Sequence, residues 1–414
     1  MKLCYIHQYY LTPDQGGAIR SYHLAQGLAA SGVEVTVITA HNQPGYEKRW
    51  DGKVRVHLLP VPYDNNFSGI RRLRAFYAFV RAAKKLIGSL PLPDLFYITS
   101  TPLSTGLIGT WARRKWGIPF IFEVRDLWPK APIEIKQIRN SLVQKVLYEM
   151  EASIYRKAWK IVALSPGIRD SIQGLVPEKT VTLIPNFSDL DFFGIQPKQH
   201  SNRRFDRQPL TVLYTGAIGE VNGLLRYLDL AEAAKKRGKN WVFQLMGKGK
   251  WCSVLKEEAE RRKLNRVVFI SFGNKVEVRE RMSAADIAYI SFLRLPVLED
   301  SSPNKFFDAL AMGMPVLVNF GGWIKDLVIH HEIGWYQEEE QIESLLQALE
   351  MLEQRPDLLG IMGKNARILA EKAFSKDKAI ATLLETIEFQ IKRGAESPYR
   401  GLYPDRLKIS RASS

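Results

Sequence analysis

The chain has 414 residues, of which 46% are hydrophobic and 25% charged, and its formal net charge is +16. That length implies two or three domains, each able to bury its own core, and the ordinary balance excludes a disordered or collagenous chain. Two cysteines far apart, Cys4 and Cys252, exclude a disulfide scaffold and favour a reducing, cytoplasmic compartment; no window approaches the roughly 18 apolar residues of a membrane span.

In chain order, a short strand at Leu3 to His7 leads through a loop to Gly16 and Gly17 and then a helical stretch to Ala30. Two glycines at a strand-to-helix crossing let the backbone approach a phosphate, although a tight turn accounts for them equally well. Strand-like runs follow at Glu34 to Thr39, Val54 to Leu59, Leu95 to Thr99, Pro119 to Val124 and Ile161 to Leu164. The second half repeats the rhythm at Leu210 to Thr215, Trp241 to Met246, Val267 to Ser271, Ile287 to Ser291 and Pro315 to Val318. Alternation with helical patterns at this spacing predicts βα units and two parallel sheets. The expected division is a domain over 1–196, a polar basic linker over 197–209, a second domain over 210–375, a helix over 376–396, and a basic tail over 397–414.

The charge is uneven. Residues 1–196 carry 25 Lys and Arg against 15 acids, and the remainder 34 against 28. Within the first half, residues 70–87 hold Arg71, Arg72, Arg74, Arg81, Lys84 and Lys85 with no acid. Leu73, Phe76, Tyr77, Val80, Ala83 and Ile87 fall on one face at helical spacing, so a basic amphipathic helix is expected, suited to an anionic membrane surface. The bland alternative is a core-packed helix with a basic solvated face. Nucleic acid is not an expected partner: no zinc-finger, helix-turn-helix or RNA-recognition signature occurs, and the aromatics are not interleaved with cations on strand-like segments.

Two glycine turns follow strands of the second half, one ending at Gly219 and one at Gly247 and Gly249. Residues 300–318 are the most informative stretch. Asp300 and Asp308 bracket Ser301-Ser302-Pro303-Asn304-Lys305, and Gly313-Met314-Pro315 breaks into an apolar strand. Asn304 is placed to cap a short helix there, which sets Lys305 beside free backbone N–H groups as an anion site, with Asp308 one turn on able to accept hydrogen bonds from ribose. Glu299 competes for the first acidic position, but the eight-residue spacing from Glu299 falls on Phe307. No H-x3-H or C-x2-C arrangement is present. Asp189-Leu190-Asp191 has metal-like spacing, yet follows Pro185-Asn186, where a turn or hinge role is expected, so no metal and no cofactor are assigned.

The stretch 300–318 resembles the acidic signature of retaining GT-B glycosyltransferases of family 4, here with Asp for both acids. Glu123-Val124-Arg125-Asp126-Leu127-Trp128-Pro129 resembles the matching segment of bacterial amino-sugar transferases of that family, N-acetylfucosamine transferases of O-antigen and capsule assembly among them; many relatives carry His where this chain has Arg125. Leu183 to Asp189 resembles the family hinge and Leu213 to Gly219 the opening of its second domain, but Ala217 and Asn222-Gly223 stand where relatives carry Arg and Lys-Gly. The resemblance implies an α/β, GT-B fold, two Rossmann-like domains facing across a cleft with the helix 376–396 crossing back to the first, and metal-independent transfer of an N-acetylated amino or deoxyamino sugar from UDP to a lipid-linked saccharide, on the inner face of the plasma membrane. It assigns Asp300, Arg125 and Lys305 to catalysis. Donor binding falls to Gly16, Gly17, Gly219, Gly247, Gly249, Asn304, Lys305 and Asp308, with Lys305 replacing the missing cations. A GT-B epimerase of UDP-sugars and a noncatalytic basic membrane-binding module are the alternatives.

Overall fold

A computed structural model of the protein describes residues 1–15, 17, 19–64, 67–194, 209–337 and 341–394, with side chains to 388. Gly16, most of the expected linker and the expected basic tail lie outside the described residues. The described residues form two sheets. The first contains β1 (Lys2–Ile6), β2 (Glu34–His41), β3 (Glu47–Asp51), β4 (Val54–Pro60), β5 (Leu95–Thr99), β6 (Phe120–Val124), β7 (Lys160–Ala163) and β8 (Val181–Leu183). Its order is β3-β4-β2-β1-β5-β6-β7-β8, parallel except for β3. The second contains β9 (Thr211–Ala217), β10 (Val242–Lys248), β11 (Val267–Ile270), β12 (Ile287–Ile290), β13 (Val316–Val318) and β14 (Gly334–Tyr336), all parallel in the order β11-β10-β9-β12-β13-β14.

Parallel strands carry helices on both faces, so their inner members are largely apolar, and β5 and β6 are buried along their whole length. Sequence reading misses β3, β8 and β14 for the complementary reason. β3 is the charged edge segment Glu-Lys-Arg-Trp-Asp, and β8 and β14 are three-residue edge strands. On one face of the first sheet, helices Gly69–Ile87, Gly106–Trp116, Ser141–Lys157 and Pro166–Leu175 share a core containing Phe79, Ile108, Ile154 and Ile172. On the other face, Ala379, Leu383 and Ile387 of the helix Lys376–Gly394 pack beside Leu24 and Leu28 of Arg20–Ala30, so the last helix belongs to the first domain's core.

Sequence order reverses between β1 and β5 in the first sheet and between β9 and β12 in the second. Such switch points open a crevice at the carboxyl ends of the strands, where ligands of doubly wound sheets bind. The segments leaving those ends are His7-Gln8, Ser100-Thr101 and Arg125-Asp126 in the first domain. Ile218-Gly219 and Ser291-Phe292 leave them in the second.

The hinge is tied at several points. Arg20 donates to the carbonyls of Ile184 and Pro185 at 2.8 and 2.5 Å while its guanidinium lies 3.1 Å from Glu123. Glu123 also accepts from Tyr97 and Thr99, and Arg20 is the leading favourable influence that holds its carboxyl below the usual range despite complete burial. Asn186 N–H donates to Ser302 Oγ at 3.2 Å, Asn186 Nδ2 donates to the Ser302 carbonyl at 2.5 Å and Ser188 Oγ donates to the Phe307 carbonyl at 2.7 Å. Both acids of Asp189-Leu190-Asp191 accept from Lys376 Nζ, at 3.0 and 2.9 Å.

Candidate functional site

The helix Asn304–Ala311 starts where the second sheet changes direction. Pro303 occupies the cap position and Asn304 is the first helical residue, with no side-chain cap bond. This corrects the expected Asn304 cap: proline's fixed φ suits the entry to a helix, and the chain enters it one residue earlier. Lys305, in the first turn, reaches back to the β9 turn. Its Nζ donates to Tyr214 Oη at 2.7 Å and lies 3.9 Å from the centre of the Tyr214 ring and 5.8 Å from that of Phe292. Tyr214 Oη in turn donates to the Ala217 carbonyl at 2.5 Å. Burial without a compensating acid pulls Lys305 down to about 7.

Asp308 lies one turn further along this helix, near Lys275 and Asp189, and burial raises its carboxyl to about 6. Asp300 points elsewhere. Its carboxylate fills the space beside Gly167, where a Cβ would fall 1.6 Å from Asp300 Oδ1, so it meets the first domain at the start of the helix Pro166–Leu175. Its carboxyl is raised first by burial, while Lys130 favours the charge and Glu299, Asp170 and Glu134 oppose it. Glu299 sits instead against Gly321 and Gly322, which separates the two competing acids by position. Alongside, the Val297 N–H donates to Glu134 Oε2 at 3.1 Å, closing this edge of the interdomain crevice.

Between the domains lies a cavity of about 310 Å³ lined by Asp126 and Trp128 from one side and Val221, Phe292, Asp300 and Pro303 from the other. Its size suits a small organic ligand. Arg125 projects near His7, Nη1 to Nε2 at 3.5 Å, and its N–H donates to Ser100 Oγ; burial and then the Arg125 charge hold His7 well below its ordinary range. Arg125 and Asp300 form no ion pair with each other. Arg125 follows β6 of the first sheet and Lys305 opens a helix of the second, while Asp300 lines the cavity at the domain contact.

The glycines divide. Gly17 is in the left-handed region at φ 80°. The Gly219 N–H already donates to Asn222 Oδ1 at 3.1 Å, so it is engaged within its own turn rather than open to a phosphate. At Gly247 a Cβ would fall 1.9 Å from the Gly216 carbonyl oxygen, and at Gly249 2.0 Å from that of Ile218. Close approach of the β9 and β10 backbones thus accounts for both without a ligand. Tyr214 is the site residue that sequence reading missed. Its only signal was its place in β9 just ahead of a glycine turn whose usual cations are absent.

In the helix Gly69–Ile87, Arg71, Arg74, Arg81 and Lys85 are exposed, Arg72 donates to the Phe67 carbonyl and Lys84 lies 5.8 Å from the Trp111 ring. Leu73 and Tyr77 do not join Phe76, Val80, Ala83 and Ile87 in the core; they are 62% and 70% exposed, which corrects the single apolar face. Among the described residues no helix is long and apolar enough to cross a membrane.

Residues 15–186 match the family model described as a glycosyl transferase 4-like domain, and 195–369 match glycosyl transferases group 1. Together the two matches span most of the chain, and the protein is a glycosyltransferase. It is similar to an uncharacterized glycosyltransferase of Haemophilus influenzae, 26% identical over 361 residues that cover 86% of this chain and 92% of the relative. It is also similar to the amylovoran biosynthesis glycosyltransferase AmsK of Erwinia amylovora, 25% identical over 47% of this chain and 49% of that one. Among solved structures, sucrose-phosphate synthase from Thermosynechococcus elongatus aligns with a TM-score of 0.78 at 17% identity, over 95% and 99% of the two chains. Anabaena HepE in complex with UDP and glucose aligns with a TM-score of 0.67 at 16% identity, over 94% and 99%. The two Rossmann-like domains of this glycosyltransferase are those of the GT-B fold, and relatives of the enzyme serve polysaccharide biosynthesis.

Proposed function

We propose that this glycosyltransferase moves an N-acetylated amino or deoxyamino sugar from a UDP donor to a lipid-linked saccharide, with retention, during surface polysaccharide assembly such as that of O-antigen. The observation that carries the reading is Lys305, a largely buried ammonium at a helix start that, among the described residues, forms no ion pair. A diphosphate there supplies the missing anion, and the amides of the helix's first turn add donors. The structurally similar HepE, solved in complex with UDP and glucose, supports a nucleoside diphosphate as the ligand.

In this reading Asp308 accepts from the ribose, Asn304 and Gly17 border the donor, and Asp300 orients the sugar once it turns from Gly167 into the cavity. The anomeric carbon–phosphate oxygen bond breaks while a bond to the acceptor hydroxyl forms on the same face. The acceptor proton passes to the departing phosphate oxygen, and Lys305 and Arg125 stabilise the developing negative charge. Cations from the protein fill the role a metal has elsewhere, and Asp189 and Asp191 remain with Lys376. The basic helix Gly69–Ile87 holds the enzyme at the inner face of the plasma membrane, where a lipid-linked acceptor resides.

A thermal-shift comparison of UDP, ADP and GDP, followed by transfer assays from a panel of UDP-sugars with and without EDTA, tests the reading. UDP alone should raise Tm as expected for a ligand of the native state, and turnover should survive EDTA. No stabilisation by UDP, activity restored only by Mg²⁺ or Mn²⁺, or epimer interconversion without an acceptor would each displace it.

A further inference from the structure

The helix that carries Lys305 and Asp308 has no side-chain cap of its own. It is held from outside, by the hinge. Asn186 meets Ser302 twice, its backbone N–H donating to Ser302 Oγ at 3.2 Å and its Nδ2 donating to the Ser302 carbonyl at 2.5 Å. Two hinge residues on, Ser188 Oγ donates to the Phe307 carbonyl at 2.7 Å. The first contact falls three residues before Lys305 and the second one residue before Asp308, so together they bracket the cation. Asn186, Ser188 and Ser302 are all buried.

These bonds fix the start of the helix without consuming it. They fall on the Ser302 hydroxyl and on the carbonyls of Ser302 and Phe307, whereas a capping side chain at the N-terminus would occupy N–H groups of the first turn. Those N–H groups therefore stay available to an anion. Two bonds of different direction also stop Ser302 from turning about either one. Pro303, with its ring-fixed φ, follows directly, so rotation at Ser302 would carry the helix start with it and swing Lys305 away from Tyr214.

The hinge end is itself anchored. Arg20 donates to the Pro185 carbonyl next to Asn186. The Ser188 N–H donates to the Phe374 carbonyl at 2.7 Å and the Ser188 carbonyl accepts from the Lys376 N–H at 3.2 Å, which joins the outgoing and returning passages of the chain between the domains. Asn186 Oδ1, by contrast, is buried with no hydrogen-bond partner. An unpaired buried acceptor opposes folding, and a leucine of similar size would avoid it. What the asparagine supplies is the Nδ2 donor to Ser302.

We propose that Asn186, acting through Ser302, is a positioning residue for the donor, setting the orientation of the helix start that presents Lys305 to the diphosphate. The inference rests on the reading of Lys305 as the cation of that site and extends it to the hinge.

The test is the Kd for UDP, measured by calorimetry on the full chain, in Asn186→Leu, Ser302→Ala, Ser302→Thr, Lys305→Met and the double variant Asn186→Leu/Lys305→Met. Asn186→Leu and Ser302→Ala should each raise Kd about three- to tenfold, and Ser302→Thr, which keeps the hydroxyl, should restore a near-native value. In the double variant the leucine should add little to the loss caused by Lys305→Met, because the group it positions is gone. Losses that multiply in full, or a native Kd in Asn186→Leu beside a lowered Tm, would reduce the clamp to a structural tie and overturn the proposal. Should Asn186→Leu not fold, the comparison of Ser302→Ala with Ser302→Thr decides, equal affinities in the two counting against it. A native Kd in Lys305→Met would overturn the donor reading itself, an outcome distinct from a weakened Lys305→Met beside a native Asn186→Leu, which removes only the hinge's part.

Discussion

Lys305 Nζ sits 2.7 Å from Tyr214 Oη, and that hydroxyl hands its own proton to the Ala217 carbonyl, so a tyrosine rather than a carboxylate holds the ammonium at the glycine turn. A neutral partner positions the charge without neutralising it. The full attraction of Lys305 remains available to an incoming diphosphate, and the cost is a buried, unpaired cation in the free enzyme.

Two opposite effects of Lys305→Met follow from that arrangement. Because the folded state lowers Lys305 to about 7 from an unfolded value of 10.5, the unfolded chain binds more protons between those values. Lys305 therefore opposes folding most below pH 7, and its penalty fades as pH rises from 7 towards 10.5. Lys305→Met should raise stability at neutral pH, by about 1–3 kcal/mol in denaturant titration, and should weaken UDP binding roughly tenfold to a hundredfold. Affinity of the native enzyme for its UDP-sugar donor should also fall as pH is raised from 6 to 8.5, a trend absent from the variant, as calorimetry would show.

Tyr214→Phe keeps the ring beneath the ammonium and removes only the hydroxyl that fixes it. The expected result is a UDP Kd raised about three- to tenfold with little change in Tm, the loss of one hydrogen bond's worth of positioning. A Kd identical to native would show that Lys305 finds the phosphate without this anchor.

Asp308 obeys the reverse sign. Its folded value of about 6 lies above the ordinary 3.8, so the native state binds more protons between them, and the stability Asp308 contributes at low pH disappears as pH rises through 6. Asp308→Asn should flatten that part of the stability profile, stabilise the enzyme at pH 7.5 and raise the donor Kd. If the variant melts as native does at both pH 4.5 and pH 7.5, burial is not what perturbs this carboxyl.

Gly167 and Asp300 test domain contact and chemistry at once. Adding a methyl at Gly167 displaces the Asp300 carboxylate, because the new Cβ would fall 1.6 Å from Oδ1. Gly167→Ala and Asp300→Ala should each lower kcat with small effects on UDP affinity, and the double variant should lose much less than the product of the two single effects. Independent, multiplying losses would place the two residues in separate tasks.

Arg20→Met should be costly without touching the donor. It strands Glu123, which is fully buried, and frees the hinge carbonyls of Ile184 and Pro185, so a loss of about 3–5 kcal/mol is expected in urea unfolding. Restoration of stability by the further change Glu123→Gln would identify the stranded carboxylate as the cause.

Much of this enzyme is written locally. Runs such as Leu95 to Thr99 and Phe120 to Val124 are apolar but for Thr99 and Glu123 because helices cover both faces of a parallel sheet, so the alternating α/β architecture and its two halves are legible from hydrophobic pattern. The motif from Asp300 to Pro315 likewise announces a loop, a short helix and a lysine at its start. Short or charged edge strands such as Glu47–Asp51 escaped because their partners, not their composition, make them strands. Tertiary structure alone decided the rest. It set Tyr214 from β9 under Lys305, some 91 positions away in sequence, turned Asp300 towards Gly167 of the other domain, and gave Gly247 and Gly249 a packing reason. It also left Leu73 and Tyr77 in solvent, since a helix's own periodicity says which side chains share a side but not how much of that side a neighbour covers.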